Sequence, residues 1–296
     1  MKETREFLKS IGLPEGDAYN LPTSEKRFAD GGQYRFEVPG IQGPKVMEAL
    51  LDAMDKHGIH LHRVTQTKGI MMLLDNEIIE MVRLARKAQT DLILAIGPRA
   101  TTDTSASVNT PEGVRMGYRL RGQEQIVRAV EDVKRAASLG CRSFLVYDEG
   151  LLWLLNEMRK VGEIPRDCHF KVSAHTGHGN PCAARLLEMI GANSVNPVRD
   201  IQLPMLAAMR QAIDVPIDIH TENPASTGGF IRHYEVPEMV RVASPIYLKT
   251  GGSVAKTHSW DSTTDDAKKR AKQVALVKRM LDSYYPEAVQ SPKGTK

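Results

Sequence analysis

The amino-acid sequence predicts a (β/α)8 barrel, the TIM-barrel class of α/β fold, and three observations lead to this prediction. Eight short apolar runs alternate with eight amphipathic segments of helical period. The connections after the helices are short and often contain glycine, whereas those after the apolar runs are longer and polar. A chain of 296 residues has room for such a barrel, which typically needs about 250 residues.

The predicted elements follow one another in strict alternation. The apolar runs predict strands at 33–38, 60–65, 91–96, 142–147, 171–174, 192–197, 216–219 and 245–248. The amphipathic segments predict helices at 45–57, 76–89, 123–139, 151–161, 183–190, 203–213, 236–242 and 264–284. Gly191 ends the fifth of these helices, as a C-cap glycine does. An open doubly wound sheet is the alternative, and the eight strands with a closing helix favour the barrel.

The chain divides into one barrel and two terminal segments. Residues 1–32 form an N-terminal extension with a short predicted helix at 4–11, and we expect it to cover one end of the barrel. The barrel is predicted to span residues 33–286, and a polar C-terminal tail covers 287–296.

Composition and charge argue against several classes of protein. Net charge is +4, from 40 basic and 36 acidic residues, and no run of five like charges is present, so we expect no specific nucleic-acid partner. No segment approaches the ~20 apolar residues of a membrane span, and the N-terminus lacks the apolar core of a signal peptide. We therefore expect a cytoplasmic protein with no membrane partner.

Cysteine usage and short motifs narrow the chemistry further. Cys141, Cys168 and Cys182 form no CxxC motif, which favours a reducing compartment. Three scattered thiols do not supply a four-cysteine iron–sulfur cluster, so we expect no such cofactor. The sequence also lacks the Rossmann GxGxxG pattern, the P-loop and the GxSxG nucleophile elbow.

Polar and ionisable side chains gather at the ends of the predicted strands. In a barrel of parallel strands these ends meet at one mouth, where the active site lies, and such groups supply acids, bases and anion-binding sites. We predict as catalytic residues His175, His220, Glu222, Glu149 and Asp148. We predict as substrate-binding residues Arg99, Arg199, Asp200, Lys249, His178, Glu37, Gln66, Asn196, Gly251 and Gly252, and Trp260 is a further candidate for substrate contact.

The histidines and glutamates allow two interpretations. His175 and His220 are candidate acid and base residues, and Glu222 and Glu149 are each a candidate base, metal ligand or orienting group. His220 and Glu222 lie two residues apart on one face of an extended segment. With His175 or His178 they would form a three-ligand site for a divalent metal. A metal-free pocket is favoured, because no established metal-binding spacing is present.

The cationic side chains indicate an anionic substrate. Arginines such as Arg99 and Arg199 bind carboxylate or phosphate through paired hydrogen bonds. Lys249 is suited to the same task, with Schiff-base formation as the alternative if it is buried and deprotonated. The pair Gly251-Gly252 resembles the glycine loops whose backbone N–H groups bind phosphate in many barrels.

The stretch 171–203 carries small and polar residues at a characteristic spacing. They are Val172-Ser173, Asn180, Ala183, Gly191-Ala192, Arg199-Asp200-Ile201 and Leu203. In these residues the chain resembles the peptidase U32 family, in which a VS…N…A…lGa stretch leads into R-E-L-x-L. Asp200 stands where that family usually has Glu. The specific likeness covers about thirty-five residues.

The resemblance implies a barrel, a cytoplasmic setting and a nominal hydrolase or peptidase activity. Relatives in this family also include RNA-modifying and hydroxylating proteins that use four-cysteine iron–sulfur clusters, and the three cysteines here do not reproduce that set. The family supplies no settled catalytic residues, so the candidate residues come from the strand ends. Arg199 and Asp200 alone are supported by both arguments.

These observations predict a U32-like hydrolase that acts on a small anionic or peptidic substrate at the mouth of the barrel. A lyase or isomerase acting on a carboxylated or phosphorylated metabolite is the first alternative, and a trapped Lys249 adduct would favour it. A non-catalytic binding subunit is the second. A homo-oligomer is compatible with the sequence, although no interface is indicated.

Overall fold

The computed structural model describes residues 1–10, 20–97, 119–255 and 262–293. Its parallel strands close into one barrel in which each strand pairs with the next and β8 pairs with β1. The strands are β1 (Tyr34–Pro39), β2 (Arg63–Gln66), β3 (Asp91–Ala95), β4 (Ser143–Val146), β5 (His169–Val172), β6 (Ser194–Val195), β7 (Ile217–His220) and β8 (Ile246–Lys249). The predicted (β/α)8 class is confirmed.

The helices surround the barrel. They are α1 (Lys2–Ser10), α2 (Pro44–Lys56), α3 (Asp75–Ala88), α4 (Gly122–Ser138), α5 (Glu149–Val161), α6 (Pro181–Met189), α7 (Leu203–Ala212), α8 (Val236–Ala243) and α9 (Thr264–Tyr284). Side-chain caps fix several of their first residues: Asn180 accepts a hydrogen bond from the Ala183 N–H at 2.9 Å, and Thr263 caps α9. Within the described ranges, none of the helices combines the length and apolarity needed to cross a membrane.

Each strand presents one face to the helices and the other to the barrel interior. On β1, Phe36 and Val38 belong to the main apolar core, whereas Arg35 and Glu37 point inward. Part of the interior is apolar, in a second small cluster of Ile93, Ala95, Leu145 and Tyr147. The remaining interior is polar, and this polar part positions the site.

The segment before β1 and the segment after α9 pack at the N-terminal end of the barrel. Phe28 lies edge-on against Tyr247 of β8, with 5.3 Å between ring centroids. Asp30 accepts hydrogen bonds from Arg35 at 2.7 Å and from Ser291 at 3.0 Å. These contacts lie at the end opposite to the carboxyl ends of the strands, so they leave the mouth of the barrel open.

Candidate active site

A network of buried charges crosses the barrel interior beneath the mouth. Lys171 of β5 forms an ion pair with Glu37 of β1, and its Nζ lies 3.0 Å from Oδ1 of Asp218 on β7. Arg63 of β2 approaches the same Asp218 oxygen at 2.8 Å. We call Lys171, Glu37, Asp218 and Arg63 the interior ion network. Each of its four members points into the barrel from a different strand.

The interior ion network keeps Glu37 ionised. Burial by itself would raise the pKa of this carboxyl, but the charges of Lys171, Lys249 and Arg63 outweigh burial and hold the pKa well below its usual range. Thr65 also donates a hydrogen bond to the carboxylate at 2.9 Å. A buried carboxylate with several cationic partners is stable in place, whereas the loss of one partner leaves an uncompensated charge.

Lys249, the last residue of β8, lies above this network and is 6% exposed. Its Nζ is 3.6 Å from Glu37 Oε1 and donates a hydrogen bond to Asn196 Oδ1 at 3.3 Å. Burial, and then the positive charge of Lys171, lower the pKa of Lys249 from 10.5 to about 7, although Glu37 and Asp218 act in the opposite direction. This environment favours the neutral amine of Lys249.

His220 ends the neighbouring strand and pairs with Lys249 in the register of the sheet. Its Nε2 is buried and finds no hydrogen-bond partner among the described residues. Burial lowers the pKa of the imidazole well below 6.5, and the positive charges of Lys249, Arg199 and Lys171 lower it further. His220 is therefore neutral at pH 7 and offers a ring nitrogen that can accept or donate a proton.

Arg199 and His175 meet on the side of the mouth formed by β5 and β6. Arg199 Nη2 donates a hydrogen bond to His175 Nε2 at 2.8 Å. The backbone N–H of His175 is held by the hydroxyl of Ser173 at 3.2 Å, which fixes the turn after β5. The structure thus brings together two residues for which the sequence predicts different roles: His175 as an acid or base, and Arg199 as an anion-binding group.

Arg270 of α9 reaches the mouth from the opposite side. Its Nη1 donates hydrogen bonds to the carbonyl oxygens of Pro39 at 3.0 Å and Gly251 at 2.7 Å, so it joins the ends of β1 and β8. The side chain is 5% exposed. Gly251 has φ +95° and packs against Arg270, where a Cβ would come within 2.9 Å of the arginine side chain.

These side chains line one pocket at the carboxyl ends of the strands. The pocket has a cavity volume of about 80 Å³ and opens to solvent. Its basic lining residues are Lys249, Arg199, Arg270, His175 and His220. Of the described residues that line it, none carries a carboxylate. The pocket is therefore suited to an anionic ligand.

Asp148, Glu149 and His178 lie in a separate group at the rim, outside this pocket lining. Asp148 caps α5 by accepting a hydrogen bond from the Leu151 N–H at 3.0 Å. Glu149 forms short contacts with His178 and Arg119. Burial would raise the Glu149 pKa, but these hydrogen bonds and the charge of Arg119 lower it to about 2. This rim group joins the ends of β4 and β5 to the start of α4.

Glu222 holds the loop after β8 in place. It is fully buried, and its carboxylate accepts hydrogen bonds from the Gly251 N–H at 2.6 Å and from Ser253 at 2.9 Å. The Gly251 N–H is thus already engaged by Glu222. A Cβ on Gly252 would come within 2.9 Å of the Glu222 carbonyl oxygen, so close packing accounts for this glycine.

The residues considered for a metal site lie in different surroundings. Across the described ranges, no group of three or more His, Cys, Asp or Glu side chains is arranged to hold a metal ion. His220 and His175 line the pocket, Glu222 is bonded to the loop after β8, and His178 contacts Glu149. The three-ligand set that the sequence suggests is not formed by these side chains.

The remaining candidates are spread more widely. Glu37 and Asn196 contact Lys249, and Asn196 also lines the pocket. Gln66 is buried, and its side-chain amide bonds to the backbone of Gly69. Asp200 is exposed to solvent. Arg99 and Trp260 lie outside the described residues.

Four residues of the site are not among the site residues predicted from the sequence: Lys171, Asp218, Arg63 and Arg270. Three of them are charged residues within predicted or observed strands, at positions that alternate with apolar ones. Charge at such positions is a usable signal, because a buried charge needs a partner or a function. Arg270 lies in a long amphipathic helix, where a basic residue is ordinary, so the sequence gives no comparable signal for it.

Comparison with known proteins supports the fold. A scan against protein-family models finds no match, and no curated protein sequence matches either. The structure is similar to that of native KDPGal, with a TM-score of 0.51, 11% identity, and coverage of 88% of this chain and 98% of that chain. It is also similar to a truncated 3-deoxy-D-arabino-heptulosonate 7-phosphate synthase from Thermotoga maritima, with a TM-score of 0.50, 11% identity and 93% coverage of both chains.

A structural likeness to the U32 peptidase Mk0906 also exists, with a TM-score of 0.43 and 16% identity over 70% of this chain and 74% of that one. No family model supports the U32 resemblance. At these identities the likenesses show the barrel fold alone, and the chemistry must be argued from the site.

Proposed function

We propose that this protein is a lyase that forms a Schiff base between Lys249 and the carbonyl group of a small anionic metabolite. The observation that carries the proposal is the buried Lys249 amine, whose pKa is lowered to about 7, at the base of a pocket lined by cations. A lysine nucleophile needs a neutral amine, and burial next to a second cation is an established way to obtain it.

The first step joins the enzyme and the substrate. The Nζ lone pair of Lys249 attacks the carbonyl carbon, and the carbinolamine then takes up a proton and loses water to give a protonated imine. The protonated imine accepts the electrons of the bond between the carbons α and β to the imine carbon, and this bond breaks when the hydroxyl on the β carbon gives up its proton. One carbonyl product leaves, the enamine that remains takes up a proton, and water releases the second product and the free amine.

His220 is the proposed acid and base. Its neutral imidazole adjoins Lys249, and its Nε2 has no other hydrogen-bond partner within the described chain. It can therefore take the proton of the substrate hydroxyl and return it to the enamine carbon.

The interior ion network sets the state of Lys249. Lys171 is held between two carboxylates, Glu37 and Asp218, so its positive charge stays directly beneath the pocket. That charge disfavours a second ammonium group at Lys249. Lys171 is thus a positioning and electrostatic residue, and Lys249 is the nucleophile.

Trapping with cyanoborohydride tests the proposal. The protein is incubated with pyruvate and cyanoborohydride, and the modified lysine is identified by mass spectrometry of peptides. Lys171 is the internal control, because it is equally buried but paired with carboxylates. We expect an adduct on Lys249 and none on Lys171. A Lys249→Met variant that is modified as fast as the wild type would overturn the proposal.

Hydrolysis of a small anionic or peptidic substrate is the second candidate function. Nε2 of His220, which has no hydrogen-bond partner among the described residues, supports it, because the same nitrogen could activate a water molecule in the pocket. The two functions differ at Lys249: hydrolysis by His220 needs no covalent adduct. Peptide or amide cleavage that persists in Lys249→Met and is lost in His220→Gln would favour the hydrolase.

A further inference from the structure

We propose that the substrate carries two anionic groups, one on each side of its reactive carbonyl, which bind at Arg270 and at Arg199 on either side of Lys249. This inference names a substrate class for the same site and rests on the proposed function. It depends on where the two guanidinium groups lie with respect to Lys249.

The first anion subsite is formed by Arg270. Its Nη1 is engaged by the carbonyl oxygens of Pro39 and Gly251, and these two bonds hold the guanidinium at the ends of β1 and β8. Its Nη2 lies beside Gly40, where a Cβ would come within 3.1 Å of it. Both Gly40 and Arg270 line the pocket. A side chain at residue 40 would therefore crowd the nitrogen that we assign to the ligand.

Burial of the charged Arg270 guanidinium is energetically unfavourable. The side chain is buried, burial lowers its pKa, and its Nε has no hydrogen-bond partner among the described residues. The charges of Asp266 and Glu222 favour the ionised form of Arg270 but do not offset burial. A ligand anion in the pocket would supply the missing charge.

The second anion subsite is formed by Arg199 with His175. Arg199 follows β6 and donates a hydrogen bond to His175, which follows β5. This hydrogen bond fixes the orientation of the guanidinium. Its positive charge reaches the centre of the pocket, since it lowers the pKa values of both His220 and Lys249. Arginine held in one orientation suits a planar carboxylate or a phosphate.

The order of strands places Lys249 and His220 between these two subsites. In the closed barrel, β7 and β8 lie between β6, which Arg199 follows, and β1, whose end Arg270 contacts. Arg270 lies by β8 and β1, Arg199 and His175 lie by β5 and β6, and Lys249 and His220 lie between them. A carbonyl held over Lys249 therefore has a cation available at each end of the molecule.

The test compares 2-oxo acids that carry one or two carboxylates. Pyruvate, 2-oxoglutarate and 2-oxoadipate are titrated against the wild-type protein, and half-saturation of the cyanoborohydride-trapped Lys249 adduct is measured. We expect at least one dicarboxylate to half-saturate at a concentration about tenfold or more below that of pyruvate, since a second charge-assisted contact is added.

Two variants assign the subsites. Arg270→Gln and Arg199→Gln should each remove the preference for the dicarboxylate, and only one of them should also weaken pyruvate. Arg270→Lys is the matched control, because it keeps the positive charge and should restore part of the preference. Thermal unfolding of each variant separates a lost ligand contact from a lost fold, which matters for Arg270 because it joins two strand ends.

The outcomes separate this inference from the proposed function. If adducts form but neither dicarboxylate is preferred, or if neither arginine changes the preference in folded variants, the two-anion substrate class is wrong and the Schiff base stands. If no 2-oxo acid gives an adduct, the Schiff base is wrong. In that case, calorimetry measures the binding of pyruvate and the dicarboxylates to the same variants. The two-anion inference is wrong if neither dicarboxylate binds more tightly than pyruvate, or if neither arginine variant changes the preference.

Discussion

The interior of the barrel and its mouth each contain a buried lysine, and the two lysines have different surroundings. In the interior, Lys171 is paired with both Glu37 and Asp218. At the mouth, Lys249 Nζ lies 3.3 Å from the amide oxygen of Asn196 and 3.6 Å from Oε1 of Glu37. The interior charges are balanced by one another, whereas the described pocket lining includes basic residues and no carboxylate. This difference is in line with the proposal that the interior serves stability and the mouth serves a ligand.

Replacement of the mouth lysine should have the largest effect on chemistry. Lys249→Met should abolish the adduct that cyanoborohydride traps with pyruvate, because no other buried lysine in the described pocket lining can replace it. The fold should persist, since an apolar side chain of similar volume replaces a buried amine. Mass spectrometry checks the loss of the adduct, and thermal unfolding checks that the fold persists. Unfolding of the purified variant at room temperature would show that Lys249 is a structural residue instead.

Replacement of the neighbouring imidazole should separate adduct formation from the later proton transfers. His220→Gln should retain the trapped adduct but slow exchange of the pyruvate methyl protons with deuterium by about 10²–10⁴-fold, the usual contribution of a general acid or base. Proton magnetic resonance in heavy water measures this exchange. Unchanged exchange in the variant would assign the proton transfer to another group, such as the Arg199-bound His175.

Replacement of the interior lysine should act mainly on stability. Lys171→Met removes one of the two cations that Glu37 and Asp218 share, leaving Arg63, and should lower the free energy of unfolding by about 3–5 kcal/mol. Urea unfolding measures this loss, with Lys249→Met as the matched control. Equal losses in the two variants would remove the contrast between the two lysines.

The pH dependence of adduct formation sharpens the same comparison. The rate should rise with pH through a midpoint of about 7, because the neutral amine of Lys249 is the reactive form. The free energy of unfolding should also increase with pH between 7 and 10.5. In this range the unfolded chain keeps a proton on Lys249 that the folded protein has released. In Lys171→Met the midpoint should move upward, since a neighbouring cation is gone. A midpoint near 10 in the wild type would contradict the assigned environment of Lys249.

The smallest effect is expected at the rim. Asp148→Ala removes the cap of α5 and should lower the free energy of unfolding by about 1 kcal/mol. Adduct formation should be unchanged, because Asp148 lies outside the described lining of the pocket. Thermal unfolding and the trapping assay with pyruvate measure the two quantities on the same sample. A large loss of adduct in a folded Asp148→Ala protein would extend the site to the rim group.

The sequence by itself determined the barrel and the positions of most of its elements. Helix periods, strand alternation and caps such as Asn180 depend on residues within a few positions of one another, so they can be predicted along the chain. The sequence also placed Lys249, His220 and Arg199 at strand ends, which the closed barrel brings to one pocket.

The tertiary structure alone decided which charges are paired and which face the pocket. Lys171 meets Asp218 and Glu37 across separations of 47 and 134 residues, and Arg270 reaches Pro39 across 231. The pKa of Lys249 depends on burial and on these distant neighbours, and no local pattern encodes either quantity. Local spacing fixes the direction in which a side chain points, whereas its charge state depends on what the fold places around it.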